Sequence, residues 1–161
     1  MRIAVYPKSF DPITLWNMDI IRRASKVFEK VVVCIVEKPD EKGCLFTVEE
    51  RKKLAEKAVA EFGNVEVDTG KEPIFELMSK YGNAVIVHGL RYDMDFEREY
   101  QLEKVNKKLN TSIETMFFAT DTSFVSVDSA GVRELASHNV DLKLFLPEGI
   151  VDEVTERLQQ K

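Results

Sequence analysis

Along the chain, short runs of consecutive apolar residues alternate with stretches in which apolar positions recur every three or four residues. These are the two periodicities that separate buried strands from amphipathic helices. Residues 2–6 form a β-branched run, and after a proline-containing turn Met18, Ile21, Ala24, Val27 and Phe28 fall at helical spacing over 17–28. Residues 31–36 are apolar without a break, which leaves no polar face for water and predicts a strand covered on both sides. A charged loop over 37–46 leads to Thr47-Val48-Glu49-Glu50, the spacing of a capping box, so a helix is predicted from there to about Phe62. Strands at 65–68, 84–88 and 113–119 and helices at 73–80, 95–109, 128–137 and 147–159 continue the alternation, and 140–146 reads as a short extended piece. Phe117, Val125 and Val127 are expected in the core, and Glu97, Glu99 and Glu103 on a charged outer face. Alternation of this period predicts an α/β fold in which right-handed crossovers place helices on both faces of one parallel sheet. In such a sheet the ligand crevice lies past the carboxyl ends of the strands, which directs attention to loops 7–16, 39–45, 69–72, 89–94 and 120–128.

Composition narrows the partners. With 161 residues and 44% hydrophobic side chains the chain has the material for one continuous core, so a single domain over 1–161 is expected. No apolar run approaches the roughly 20 residues that cross a bilayer, and Met1-Arg2-Ile3-Ala4-Val5 lacks the apolar stretch of a signal peptide, so a soluble, cytoplasmic protein with no membrane partner is expected. The formal net charge of −5, with no basic block, argues against a nucleic-acid partner and leaves room only for a local basic pocket. Cys34 and Cys44 have the spacing of neither a disulfide framework nor a metal site and are read as free thiols, with no metal.

Tyr6-Pro7-Lys8-Ser9-Phe10-Asp11-Pro12-Ile13-Thr14, then Phe46-Thr47-Val48-Glu49-Glu50-Arg51, then Gly89-Leu90-Arg91 with Asp95-Phe96-Glu97, resemble bacterial phosphopantetheine adenylyltransferases, and the register holds over essentially the whole chain. The resemblance implies a Rossmann-like five-stranded parallel sheet of the nucleotidyltransferase type, commonly in a hexamer, and transfer of AMP from ATP, with Mg²⁺, to 4′-phosphopantetheine. That chemistry asks a protein mainly to position two anions and to stabilise charge on the α-phosphate and the leaving pyrophosphate. If the chain is active, the resemblance carries nucleotide or phosphate contacts to Ser9, Phe10, Asn17, Arg91, Glu99 and Ser129, and a catalytic part to Lys42 and Arg91.

The sequence departs from the family where substrates are held. Thr14-Leu15-Trp16-Asn17 stands where the family has Thr-x-Gly-His, so Trp16 replaces a glycine and Asn17 the signature histidine. Lys8 replaces a glycine, His88 an arginine, Arg98 a tyrosine and Glu72 a glycine, and Asp128 brings an acid to the expected serine stretch, where it would repel triphosphate. Asn17 can also be read as a helix N-cap, and Trp16 as a core aromatic. An intact scaffold with altered pocket loops is read first as an inactive adenylyltransferase-like protein, repurposed naturally or by design, with no residue assigned a catalytic role outright and no cofactor required. Its former site would bind a protein with an acidic patch through Lys8, Trp16, Asn17, His88, Tyr92, Met94, Arg98 and Asp128. The alternative is a divergent phosphopantetheine adenylyltransferase. The third reading is a remodelled small-molecule site or artificial enzyme in which Asp128 and His88 act together.

Overall fold

A computed structural model describes residues 2–37, 43–71, 73–124 and 128–159. Lys42, Glu72, Val125 and Val127 lie outside them. Five parallel strands, β1 (Ile3–Lys8), β2 (Lys30–Glu37), β3 (Val65–Lys71), β4 (Val85–Leu90) and β5 (Glu114–Ala119), form one sheet in the order β3-β2-β1-β4-β5. The chain moves outward from β1 to β3, then returns to the other side of β1 for β4 and β5, so the switch point lies between β1 and β4. The predicted parallel α/β architecture is the one observed.

Among the described residues α1 (Leu15–Val27), α2 (Val48–Val59), α3 (Ile74–Ser79) and α4 (Asp93–Leu109) connect successive strands, and α5 (Ser129–Ala136) and α6 (Val151–Gln159) follow β5. One sheet face buries Ala4, Tyr6, Val33, Ile35 and Val87 against Ile20, Ile21, Leu54, Val132 and Val154 of the helices around it. The opposite face buries Val5, Val32, Cys34, Val36 and Ile86, mainly under Leu77 and Met78 of α3. Burying one such aliphatic side chain contributes about 1.5–3 kcal/mol, so the first and larger cluster dominates the hydrophobic stabilisation. Cys34 is a buried free thiol.

Several boundaries differ from the sequence expectation for physical reasons. β1 and β4 run two residues beyond their apolar runs, because the backbone ladder continues through Pro7 opposite Cys34, Lys8 opposite Ile35 and Leu90 opposite Ala119 whatever the side chains. Helix α1 starts two residues early because Thr14, not Asn17, is its N-cap. Residues 140–146 are not extended: the Asp141 carboxylate accepts from the Lys143 amide and starts a 3-10 turn over Leu142–Leu144. A second such turn, Glu148–Ile150, precedes α6. Phe117 is only half-buried, stacking beside His88. The helical spacing of Phe96, Leu102, Val105 and Leu109 is real, yet α4 has no buried residue and these four side chains stay largely exposed.

Candidate functional site

The loop from β1 to α1 is fixed by charge buried inside it. Phe10 adopts a left-handed backbone (φ 47°) and packs edge-on against Tyr6, which places it in the core rather than free toward a nucleotide. Asp11, only 3% exposed, accepts hydrogen bonds from the amides of Leu45 (2.8 Å) and Phe46 (2.9 Å) and pairs with Arg133 at 3.3 Å. Arg51 is fully buried and donates to the carbonyl of Ser9 at 2.9 Å. The Ser129 hydroxyl donates to the Pro12 carbonyl at 2.7 Å, so it clips α5 to this loop instead of pointing at a phosphate.

Asn17 is buried and engaged on both sides of its amide. Its Oδ1 accepts from the backbone N–H (2.9 Å) and hydroxyl (3.0 Å) of Thr14, while its Nδ2 donates to the Tyr6 hydroxyl at 3.2 Å. Burial pushes the Tyr6 pKa up, and the phenol stays protonated. Asn17 is thus the third helical residue of a capping box closed by Thr14, and this role replaces both the N-cap and the phosphate-donor expectations.

Trp16 is 7% exposed, so it is not a surface anchor. Its Nε1 donates to the Thr120 hydroxyl at 2.9 Å, and the Arg91 guanidinium lies 4.0 Å from the ring centroid. Gly89 permits this packing: a Cβ there would come 2.6 Å from the Ile20 side chain and 3.2 Å from Trp16 Nε1. Arg91 does not face an open anion site. Its Nε donates to Asp95 at 3.0 Å, its backbone N–H to the same carboxylate oxygen at 3.0 Å, and its Nη1 lies 3.6 Å from Asp128. Desolvation raises the Asp95 pKa, but the Arg91 hydrogen bonds outweigh it and hold the carboxyl below its usual range. Asp128 also caps α5, accepting from the Gly131 amide at 2.9 Å. It therefore has its own partners, and no contact joins it to His88 among the described residues.

On the other side of the switch point a cavity of about 470 Å³ runs along α4. Lys8, Ser9, His88, Arg98 and Glu99 line it near the start of that helix, and Leu102, Val105 and Leu109 continue down it, faced by Ile74 and Phe75. From Glu99 to Leu109 the helix rises about 15 Å, which suits an extended ligand with a polar head and a less polar arm. Glu99 turns inward, 3.5 Å from both Lys8 Nζ and His88 Nε2, which corrects its placement on an outer face; Glu97 is exposed and Glu103 half-buried. Burial pulls the His88 pKa down to about 4, and the adjacent Glu99 only partly offsets it. His88 is therefore a neutral imidazole near pH 7, with Nδ1 buried and without a hydrogen bond among the described residues. Burial also lowers the Lys8 pKa, again opposed by Glu99.

Of the eight residues expected to receive a protein partner, Trp16 and Asn17 point into the fold, where Thr120 and Tyr6 receive their N–H groups, and Lys8 and His88 line the cavity beside Glu99. Tyr92, Met94 and Arg98 stand exposed, and Asp128 is half-buried. Asp11, Arg51 and Thr120 had no role assigned from sequence; Arg51 carried the one signal, a charge sharing a helix face with Leu54 and Ala55. No cluster of three His, Cys, Asp or Glu side chains able to hold a metal occurs among the described residues, nor a helix there long and apolar enough to cross a membrane.

Comparison with known proteins adds the lineage. The model of the cytidylyltransferase-like family matches residues 5–135. A phosphopantetheine adenylyltransferase of Clostridium tetani is 42% identical over all of both chains, one of Clostridium perfringens (strain 13) is 39% identical over 98% of this chain and 96% of its own, and one of Staphylococcus carnosus is 38% identical over 96% and 95%. A crystal structure from Vibrio parahaemolyticus, assigned as a nicotinate-nucleotide adenylyltransferase, superposes with a TM-score of 0.67 at 17% identity, covering 100% of this chain and 97% of that one, a likeness of fold alone. Sequence over the full length and sheet topology agree, and the chain belongs to the cytidylyltransferase-like family as a relative of the phosphopantetheine adenylyltransferases.

Proposed function

We propose that the chain transfers AMP from ATP to 4′-phosphopantetheine, in the formation of coenzyme A, at a rate held down by the changes at Trp16 and Asn17. The observation that carries this reading is the full-length 42% identity to a phosphopantetheine adenylyltransferase. The cavity along α4, polar at one end and apolar along its wall, supports it as the acceptor's place. Mg²⁺ would arrive on the phosphates of ATP. A buried amide occupied by Thr14 and Tyr6 gives nothing to a reacting phosphate, and loss of one such donor costs roughly 10²- to 10³-fold in rate. Self-association of the hexameric kind fits the exposed Met94, Phe96 and Tyr100 of α4, which lie outside the cavity lining.

A second reading is favoured by one observation, the indole of Trp16 packed against Gly89 under Arg91. In it the nucleotide side is closed, the protein is inactive, and the exposed Tyr92, Met94 and Arg98 meet an acidic patch on a protein partner. The test is pyrophosphate release from ATP and Mg²⁺ with 4′-phosphopantetheine, for the natural chain and for the Trp16→Gly/Asn17→His double variant. Slow turnover that the double variant speeds supports adenylyl transfer. Turnover only in the double variant supports the closed site, and none in either refutes transfer.

A further inference from the structure

The cavity holds a cation whose role the lineage does not supply. Lys8 ends β1, is 24% exposed, and lines the cavity beside Ser9. Its ammonium carries three donors, and its ionic partner among the described residues is Glu99, a single contact at 3.5 Å, with the Trp16 ring 5.3 Å away. That leaves an ammonium held in place yet under-coordinated. The other charges nearby are differently placed. Arg91 is committed to Asp95 and Asp128 and stacked on Trp16, Arg98 sits exposed at the rim where water and salt screen it, and His88 is uncharged at neutral pH. Glu99 keeps His88 at 3.5 Å when Lys8 turns to another anion, so it is not left alone by the exchange.

We propose that Lys8 is the residue that grips the anionic phosphate end of the acceptor in the cavity along α4, with Ser9 beside it and the apolar wall of α4 receiving the arm. This rests on the acceptor-binding part of the adenylyl-transfer reading. It reverses the view of Lys8 as an obstruction or a contact for another protein. A charge-assisted hydrogen bond to a phosphate is worth tenfold or more in affinity, roughly, over the same ligand without it.

Calorimetry with 4′-phosphopantetheine and with pantetheine, without ATP, tests the proposal on the natural chain and on Lys8→Met and Lys8→Arg, each checked for an unchanged melt. The natural chain is expected to prefer the phosphorylated ligand by about tenfold or more, with a preference that shrinks as salt rises. Lys8→Met should bring the two ligands to equal affinity, and Lys8→Arg should keep the preference. Should Lys8→Met fail to fold, loss of the preference in Lys8→Gly and its return in Lys8→Gly/His88→Arg, which supplies a cation beside Glu99 from the neighbouring strand, would support it. Equal binding of the two ligands by the natural chain, binding of neither, or an undiminished preference without the Lys8 charge would overturn it. A Lys8-dependent preference in a protein that releases no pyrophosphate would leave this inference standing and remove only the transfer step.

Discussion

The two sides of the β1/β4 switch point differ in how their polar groups are used. On the α1 side, Asp11, Asn17, Trp16 and Arg91 each bond to another part of the fold, and the indole fills the space against Gly89. On the α4 side, Lys8, His88 and Glu99 share two long contacts of 3.5 Å around a cavity, and an imidazole nitrogen has no hydrogen-bond partner among the described residues. Satisfied polar networks rigidify a fold, whereas partly satisfied ones retain capacity for a ligand at a cost in stability. The α1 side has thus become structure, and the α4 side keeps the character of a site.

This contrast can be broken by substitution, and the largest effect belongs to Asp11. Asp11→Ala would leave the Leu45 and Phe46 amides and the Arg133 guanidinium without their carboxylate, and a loss of about 3–5 kcal/mol is expected in urea unfolding. A loss below about 1 kcal/mol would mean that the α1 side is less tightly knit than described.

The cavity side is probed by acid. The folded-state pKa of His88 lies near 4 against an ordinary 6.5, so between these values the unfolded chain binds a proton that the folded chain refuses. The contribution of His88 is present above about pH 6.5, is lost as pH falls, at up to about 1.4 kcal/mol per unit, and falls no further below pH 4. His88→Gln should flatten the pH dependence in this window by up to about 3 kcal/mol, measured as the difference from the natural chain. Identical profiles would show that the imidazole is not held neutral.

Smaller effects sharpen the closed side. Gly89→Ala drives a methyl into Ile20 and crowds Trp16, so a loss of about 1–3 kcal/mol is expected in a thermal melt. Unchanged stability would show that the indole can move aside, and the site with it. Thr120→Val removes the acceptor of the indole N–H and should cost about 1 kcal/mol, read in the same way.

The architecture was legible because β2 is a run of apolar residues covered on both faces, and because the Thr47 capping box marks the start of α2 without reference to anything distant. The edges were less so, since Lys8 and Leu90 are held by backbone pairing that side-chain pattern does not encode. Residues 140–146 look extended in composition, but an Asp141 side chain bonded two residues ahead decides otherwise. The site was legible in its positions and not in its directions. Trp16 and Asn17 stood out as departures, but whether each faced a pocket, a partner or the core depended on Thr120, on Tyr6 and on the glycine of β4, all distant in sequence. Asp11 was harder still, because charged side chains are expected outside and nothing local announces the exception, whereas Arg51 at least shares a helix face with Leu54 and Ala55.

Trp16 is the only tryptophan in the chain, and it sits on the α1 side of the switch point, capped by a guanidinium and tethered through its N–H. The protein therefore carries its own optical reporter at that one position. Any ligand that opens the α1 side must unstack Arg91 and release the indole to water, shifting its emission to the red, whereas a ligand seated along α4 leaves the indole buried and alters only the field of the Lys8 ammonium 5.3 Å from its ring.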